Sequence, residues 1–146
     1  MLKILLSLLL LGVSTSYGQN KVKWGLDFDY NRNVLQLKGE IEEGWHLYSS
    51  MTPPEAGPIP VEIKTKKSKG FKIKKGFVEK YDAVKTFDAN FDSDVFIFEE
   101  NYLAEQQIKL KKNSLVNLTV TFMICNHERC LPPIDEELSI KLNTDD

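Results

Sequence analysis

The sequence is short of cysteine, histidine and long apolar runs, and each shortage excludes something. Two cysteines in 146 residues are too few for a miniprotein held by a disulfide framework, so a hydrophobic core has to hold the fold. Two histidines leave little for a multi-histidine metal centre. There is no glycine-rich phosphate loop and no Gly-x-Ser-x-Gly, so hydrolytic activity has no support. Past the first residues no apolar run approaches the roughly 20 residues of a membrane helix. A formal charge of −2 argues against a nucleic-acid partner.

What is present begins with Met1-Leu2-Lys3, an apolar run from Ile4 to Val13, and small or polar residues ending Ser16-Tyr17-Gly18-Gln19. One positive charge, a short apolar core and a small-residue cut are the layout of a secretory signal. Residues 1–18 are expected to be removed, leaving 19–146 as one exported domain without a lipid anchor or a membrane span. Removal deletes Lys3 and no acid, taking the formal charge from −2 to −3. Export makes a disulfide chemically permitted.

The mature chain reads as strands. Val22, Trp24, Leu26, Phe28 and Tyr30 alternate with polar residues, as do Leu35 and Leu37, and a period of two marks a half-buried strand. Four prolines between Pro53 and Pro60 fix a loop, since proline suits neither a helix interior nor a central strand. Val61–Ile63, Phe71–Ile73 and Val95–Phe98 read as further strands. Tyr102 to Leu110 is ambiguous, with helix-favouring Leu103-Ala104-Glu105-Gln106-Gln107 inside strand-favouring neighbours. Leu118, Val120, Phe122 and Ile124 alternate on one side of the cysteines, and Leu138, Ile140 and Leu142 on the other. Eight or nine short strands in this length suggest an all-β, antiparallel sandwich.

Cys125 ends one of those strands and Cys130 lies in the connection to the next, with four residues between them. A disulfide across so short a ring constrains the unfolded chain by only about 2.2 kcal/mol in the chain-entropy model. Three readings follow. The pair is a small clip, in a non-enzymatic module that presents its proline-rich and aromatic loops to a protein partner; or it is an exchanging disulfide, with His127 and Arg129 favouring a thiolate and Glu128 opposing it; or Cys125, His127 and Cys130, with His46, Met51 or Met123, bind a soft metal. Seven lysines lie between Lys64 and Lys75. They interleave with strand residues and include no arginine, so they read as exposed, edge-protecting charge. The aromatic and acidic stretch from Glu79 to Phe91 reads as a loop over the core edge or a lid over the cysteines.

Two segments, Gly44-Trp45-His46-Leu47-Tyr48-Ser49 with Gly57-Pro58-Ile59-Pro60, and Met123 to Pro133, resemble the N-terminal periplasmic domain of DsbD-type thiol–disulfide interchange proteins. The resemblance covers essentially the whole mature chain. It implies an immunoglobulin-like sandwich whose cysteine pair takes electrons from a membrane thiol reductase, through a thioredoxin-like domain. The pair hands them to thioredoxin-fold partners such as disulfide isomerases and cytochrome c maturation proteins. It implies that Cys130 forms the mixed disulfides and Cys125 resolves them, beside His127, Glu128, Arg129 and Pro132. A cap loop shields the pair, here within Glu79 to Phe91, with Tyr81 or Phe87 at its tip. No cofactor or metal is implied, and the domain is expected to be a periplasmic monomer. The sequence departs from the better-known members in having four rather than five residues between the cysteines. It also ends at Asp146, where they continue into membrane helices and a thioredoxin-like domain, so a separate membrane reductase is the expected electron source.

Overall fold

A computed structural model describes residues 21–144; the expected signal, residues 1–18, lies outside them. The apolar alternation folds as it reads. β1 (Val22–Asp29) and β2 (Val34–Ile41) form a hairpin turned by Asn31-Arg32-Asn33, where Asn33 takes a positive φ of 55°. β3 (His46–Tyr48) follows, then a single 3-10 turn, Pro54–Ala56, in the proline loop, and β4 (Glu62–Thr65), β5 (Phe71–Ile73) and β6 (Val78–Glu79). Then come β7 (Val84–Asp88), β8 (Ser93–Phe98), β9 (Asn101–Leu110), β10 (Ser114–Phe122), β11 (Ile124–Cys125) and β12 (Ile134–Leu142).

These pack as an immunoglobulin-like antiparallel β-sandwich. One layer runs β1-β2-β9-β5, with β6 on the same edge of β9 as β5. The other comprises β12-β10-β4 and, beyond it, β11-β3-β8-β7. Twelve short segments replace the eight or nine read from alternation because long strands break where they change partner. β10 pairs with β12 up to Phe122↔Ile134; after Met123 the same chain, as β11, pairs with β3 instead. β4 and β5, neighbours in sequence, belong to different layers, pairing with β10 and β9.

The ambiguous Tyr102–Leu110 stretch is strand throughout. Alternate residues Tyr102, Ala104, Gln106 and Ile108 are buried, so pairing with β2 on one side and β5 and β6 on the other overrides its local helix propensity. The core is centred on Trp24, which meets Tyr102 and Phe122 edge-on at 5.6 and 5.3 Å between ring centroids. Gly39 makes this possible: a Cβ there would lie 2.9 Å from Trp24 Cζ3.

Candidate functional site

β10 runs the length of the second layer and delivers Cys125 to one end of the sandwich. Cys125 and Cys130 face each other across a hairpin as an isolated antiparallel pair, with Cα atoms 4.0 Å apart and the sulfurs bonded. Leu131 N donates to Ile124 O and Asn126 N to Arg129 O, both at 2.9 Å. The cystine therefore occupies a non-hydrogen-bonded pair, the closer of the two antiparallel pair types. Asn126 builds the turn: its Oδ1 accepts from Glu128 N and Arg129 N at 2.8 Å each, replacing the backbone carbonyl that would ordinarily close it.

The two cysteines differ in exposure. Cys125 is fully buried, while Cys130 is partly exposed on the hairpin rim. Tyr48, Val95, Ile97 and Cys125 form a small buried cluster, with Phe91 and Cys130 packed against it. Of the neighbours named from sequence, His127, Glu128, Arg129 and Pro132 are all exposed. Arg129 lies 5.9 Å over the Trp45 ring, a cation–π placement, and His127 lines a cleft of about 140 Å³ beside the hairpin.

The β7–β8 hairpin folds over this end. Its tip, Ala89 to Asp92, touches the cysteine hairpin in two ways. Asn90 Nδ2 donates to Asn126 O at 3.0 Å, taking up the carbonyl freed by the asparagine turn. The Phe91 ring packs into the sulfur cluster and meets Tyr48 edge-on at 6.1 Å. Gly57 leaves room for that ring: its φ is 106°, and a Cβ would sit 2.8 Å from Phe91 Cδ1. Of the residues named from sequence for the cap, only Phe87 lies on this hairpin; Glu79 is in β6 and Tyr81 in the connection after it. Glu79 ties β6 to the turn after β3, accepting from Ser49 Oγ at 2.6 Å and from Ser50 N at 3.0 Å. Tyr81 and Phe87 are 50% and 60% exposed, Phe87 on the wall of the cleft. Phe91, the last residue of the sequence-defined loop, is the aromatic that reaches the sulfur cluster.

Beneath the tip lies a buried polar chain. Cys125 is paired across the sheet with His46; His46 Nε2 is 3.1 Å from Tyr48 Oη, which donates to Asp88 Oδ2 at 2.5 Å. The Tyr48 proton is committed to Asp88, so Nε2 carries the hydrogen and donates to Tyr48. Burial, then the Asp88 carboxylate, holds Tyr48 protonated well above the ordinary phenol range. Burial also opposes ionisation of Asp88, but the bonds from Tyr48 and Asn90 N outweigh it and keep the carboxyl below its usual range.

His46 is pushed down by burial, against the pull of Asp88 and Glu99 and with His127 adding to the push. The unfolded chain takes up that proton below about pH 6.5 and the fold resists it, so stability present above that pH is lost as pH falls through and below it. Asp88, with its lowered value, adds a second loss at more acid pH. Thermal melts should show Tm falling from neutral pH to about pH 5, and His46→Gln should flatten that part of the curve. Among the described residues no group of three His, Cys, Asp or Glu is arranged to hold a metal ion.

The family model "Thiol:disulfide interchange protein DsbD, N-terminal" matches residues 19–142. The chain belongs to this family. Among solved structures it is similar to the reduced DsbD N-terminal domain of Neisseria meningitidis, at 14% identity and a TM-score of 0.63, over 85% of this chain and 87% of that one. The complex between the DsbD and PilB N-terminal domains of the same organism gives 13% identity and a TM-score of 0.56, over 81% and 80%. The N-terminal periplasmic domain of ScsB from Proteus mirabilis gives 15% and 0.51, over 85% of this chain and 46% of that one. No curated protein matches the sequence. At these identities the solved structures speak for the fold; the DsbD N-terminal assignment rests on the family match.

Proposed function

We propose that this domain carries reducing equivalents between thiol proteins through Cys125 and Cys130. The observation that carries the reading is the asymmetric cystine: one cysteine partly exposed on a hairpin rim, the other buried behind it, in a chain of the DsbD N-terminal family. In the loading half-reaction a thiolate of the reductase attacks Cys130 Sγ. The S–S electron pair leaves on Cys125 Sγ, which takes up a proton. A second reductase thiol then attacks its own sulfur in the mixed disulfide and releases Cys130 as a thiolate. In the unloading half-reaction the Cys130 thiolate attacks a partner disulfide. Cys125, giving up its proton, attacks Cys130 Sγ, re-forming the internal bond and releasing the partner's dithiol. Two electrons and two protons move per cycle.

The partners are thioredoxin-fold proteins and the electron source a membrane thiol reductase; the complex solved for the meningococcal domain supports a docking role for this class of domain. The compartment is the periplasm. That is supported by the sequence of residues 1–18, by a family match that begins at residue 19, and by the ScsB relative, described as periplasmic. No helix among the described residues is long and apolar enough to cross a membrane. The β7–β8 tip gates the site. One exposed hydrogen bond contributes about 1 kcal/mol and a half-buried phenylalanine about 1.4 kcal/mol, so an arriving partner can displace it. Mixed-disulfide trapping tests the reading: with Cys125 replaced by serine, a thioredoxin-fold partner should remain bound through Cys130, and a variant that retains none contradicts it.

A further inference from the structure

The described residues contain sixteen lysines, and they divide by position. Six, at positions such as Lys21, Lys38 and Lys85, lie within 4 Å of a carboxylate. The other ten have no such partner among the described residues, are all exposed, and gather at one end and its adjoining edge. Residues 66–75 supply six of them; Lys109, Lys111, Lys112 and Lys141 are the rest. The backbone draws these segments together. Lys111 N and Lys112 N both donate to Gly70 O, at 2.8 and 3.2 Å, and Lys66 N donates to Asn117 O at 2.8 Å. Lys72 stands directly opposite Lys109, and Lys141 opposite Leu115. Leu115, near the start of β10, is an apolar side chain left 49% exposed beside Lys141.

Edge protection accounts for Lys72 on β5, but not for lysines in the 66–69 and 111–112 connections. Nor does it account for setting two cations across from each other, which costs stability. The weak net charge of the chain conceals a local surplus of lysine here, with Glu137 and Glu105 the acids that share clefts with Lys66 and Lys75. β10 begins at this end and finishes beside Cys125, nine residues away along a strand, or about 30 Å.

We propose that this end is a docking surface for an anionic phospholipid bilayer. All ten cations are lysine, point charges suited to a plane of headgroups rather than to the two-pronged phosphate contacts that arginine makes. Leu115 sits where an apolar side chain can enter the interface while the neighbouring lysine stems reach outward. Docked this way, the domain holds its cysteine hairpin away from the lipid, facing the aqueous phase.

Sedimentation of the purified protein with vesicles tests this. It should bind vesicles containing phosphatidylglycerol and not those of phosphatidylcholine alone, and release as salt rises. Lys109→Gln, Lys111→Gln and Lys112→Gln should each weaken binding about fivefold, equivalent to about 1 kcal/mol per lysine, and the triple variant roughly a hundredfold. Lys23→Gln/Lys38→Gln/Lys85→Gln should leave it unchanged. Lys111→Gln alone, in an exposed turn, carries the test if the triple variant misfolds. Equal binding to both vesicle types, equal losses in the two variant sets, or retention on double-stranded DNA at salt that frees the vesicles would overturn the proposal.

Discussion

Cys125→Ser and Cys130→Ser should behave oppositely in the presence of an oxidised thioredoxin-fold partner. With Cys130 alone, the sulfur of this partly exposed cysteine attacks the partner's disulfide and stops there, because the sulfur that would resolve the mixed disulfide is gone. The covalent complex should accumulate toward completion on a non-reducing gel and vanish on reduction. With Cys125 alone, the remaining cysteine is fully buried in the cluster with Tyr48, against which Phe91 packs. Since exchange requires an accessible thiolate, little or no complex should form. Both variants keep the sandwich, because the core around Trp24 does not depend on the short ring, worth about 2 kcal/mol in the chain-entropy model. Equal trapping by the two variants would contradict the assignment of roles.

Phe91→Ala should expose the disulfide. The closed tip is held by Phe91 and the Asn90–Asn126 bond. Losing the half-buried ring shifts the closed–open balance by about 1.4 kcal/mol, roughly tenfold in the open population. Reduction of the wild-type disulfide by a small dithiol proceeds through the open state, so the variant should be reduced about tenfold faster. Gly57→Ala gives an independent route to the same result, since its methyl would sit 2.8 Å from Phe91 Cδ1 and push the ring away; there the gain in rate should come with a loss of Tm, because the φ of 106° strains any other residue. Stopped-flow reduction of the three proteins measures it. Unchanged rates would mean the tip does not shield the pair.

The sequence made the strands and the cysteine hairpin legible and left the cap contacts hidden, for physical reasons. Alternation is a property of each strand alone, so β1, β2, β10 and β12 could be read directly, and Cys125 and Cys130 placed at the rim. Asymmetry between the sulfurs depends on what covers Cys125, and that cover comes from β3, β8 and the proline loop, distant in sequence. Tyr81, Phe87 and Phe91 are equivalent aromatics until tertiary structure chooses between them. Gly57 leaves the space that the Phe91 ring fills. A local sign existed in Asp88-Ala89-Asn90, where Asp88 Oδ1 accepts from Asn90 N at 2.8 Å, the mark of a tight turn and so of a hairpin tip. His46, weighed from sequence only as a metal ligand, proved to be the cross-strand neighbour of Cys125; three consecutive buried side chains in β3 broke the alternation that would have revealed it. The lysines of residues 66–75 were visible, but their convergence with Lys109, Lys111, Lys112 and Lys141 required the register of β5 on β9 and of β12 on β10.

Whether the cystine exchanges or merely clips the hairpin is answered most directly by its reduction potential, measured by equilibrating the protein with thiol redox buffers and counting free thiols. An electron carrier that meets thioredoxin-fold proteins should titrate in their range, about −180 to −270 mV. A midpoint well below about −300 mV, where inert structural disulfides lie, would contradict the account.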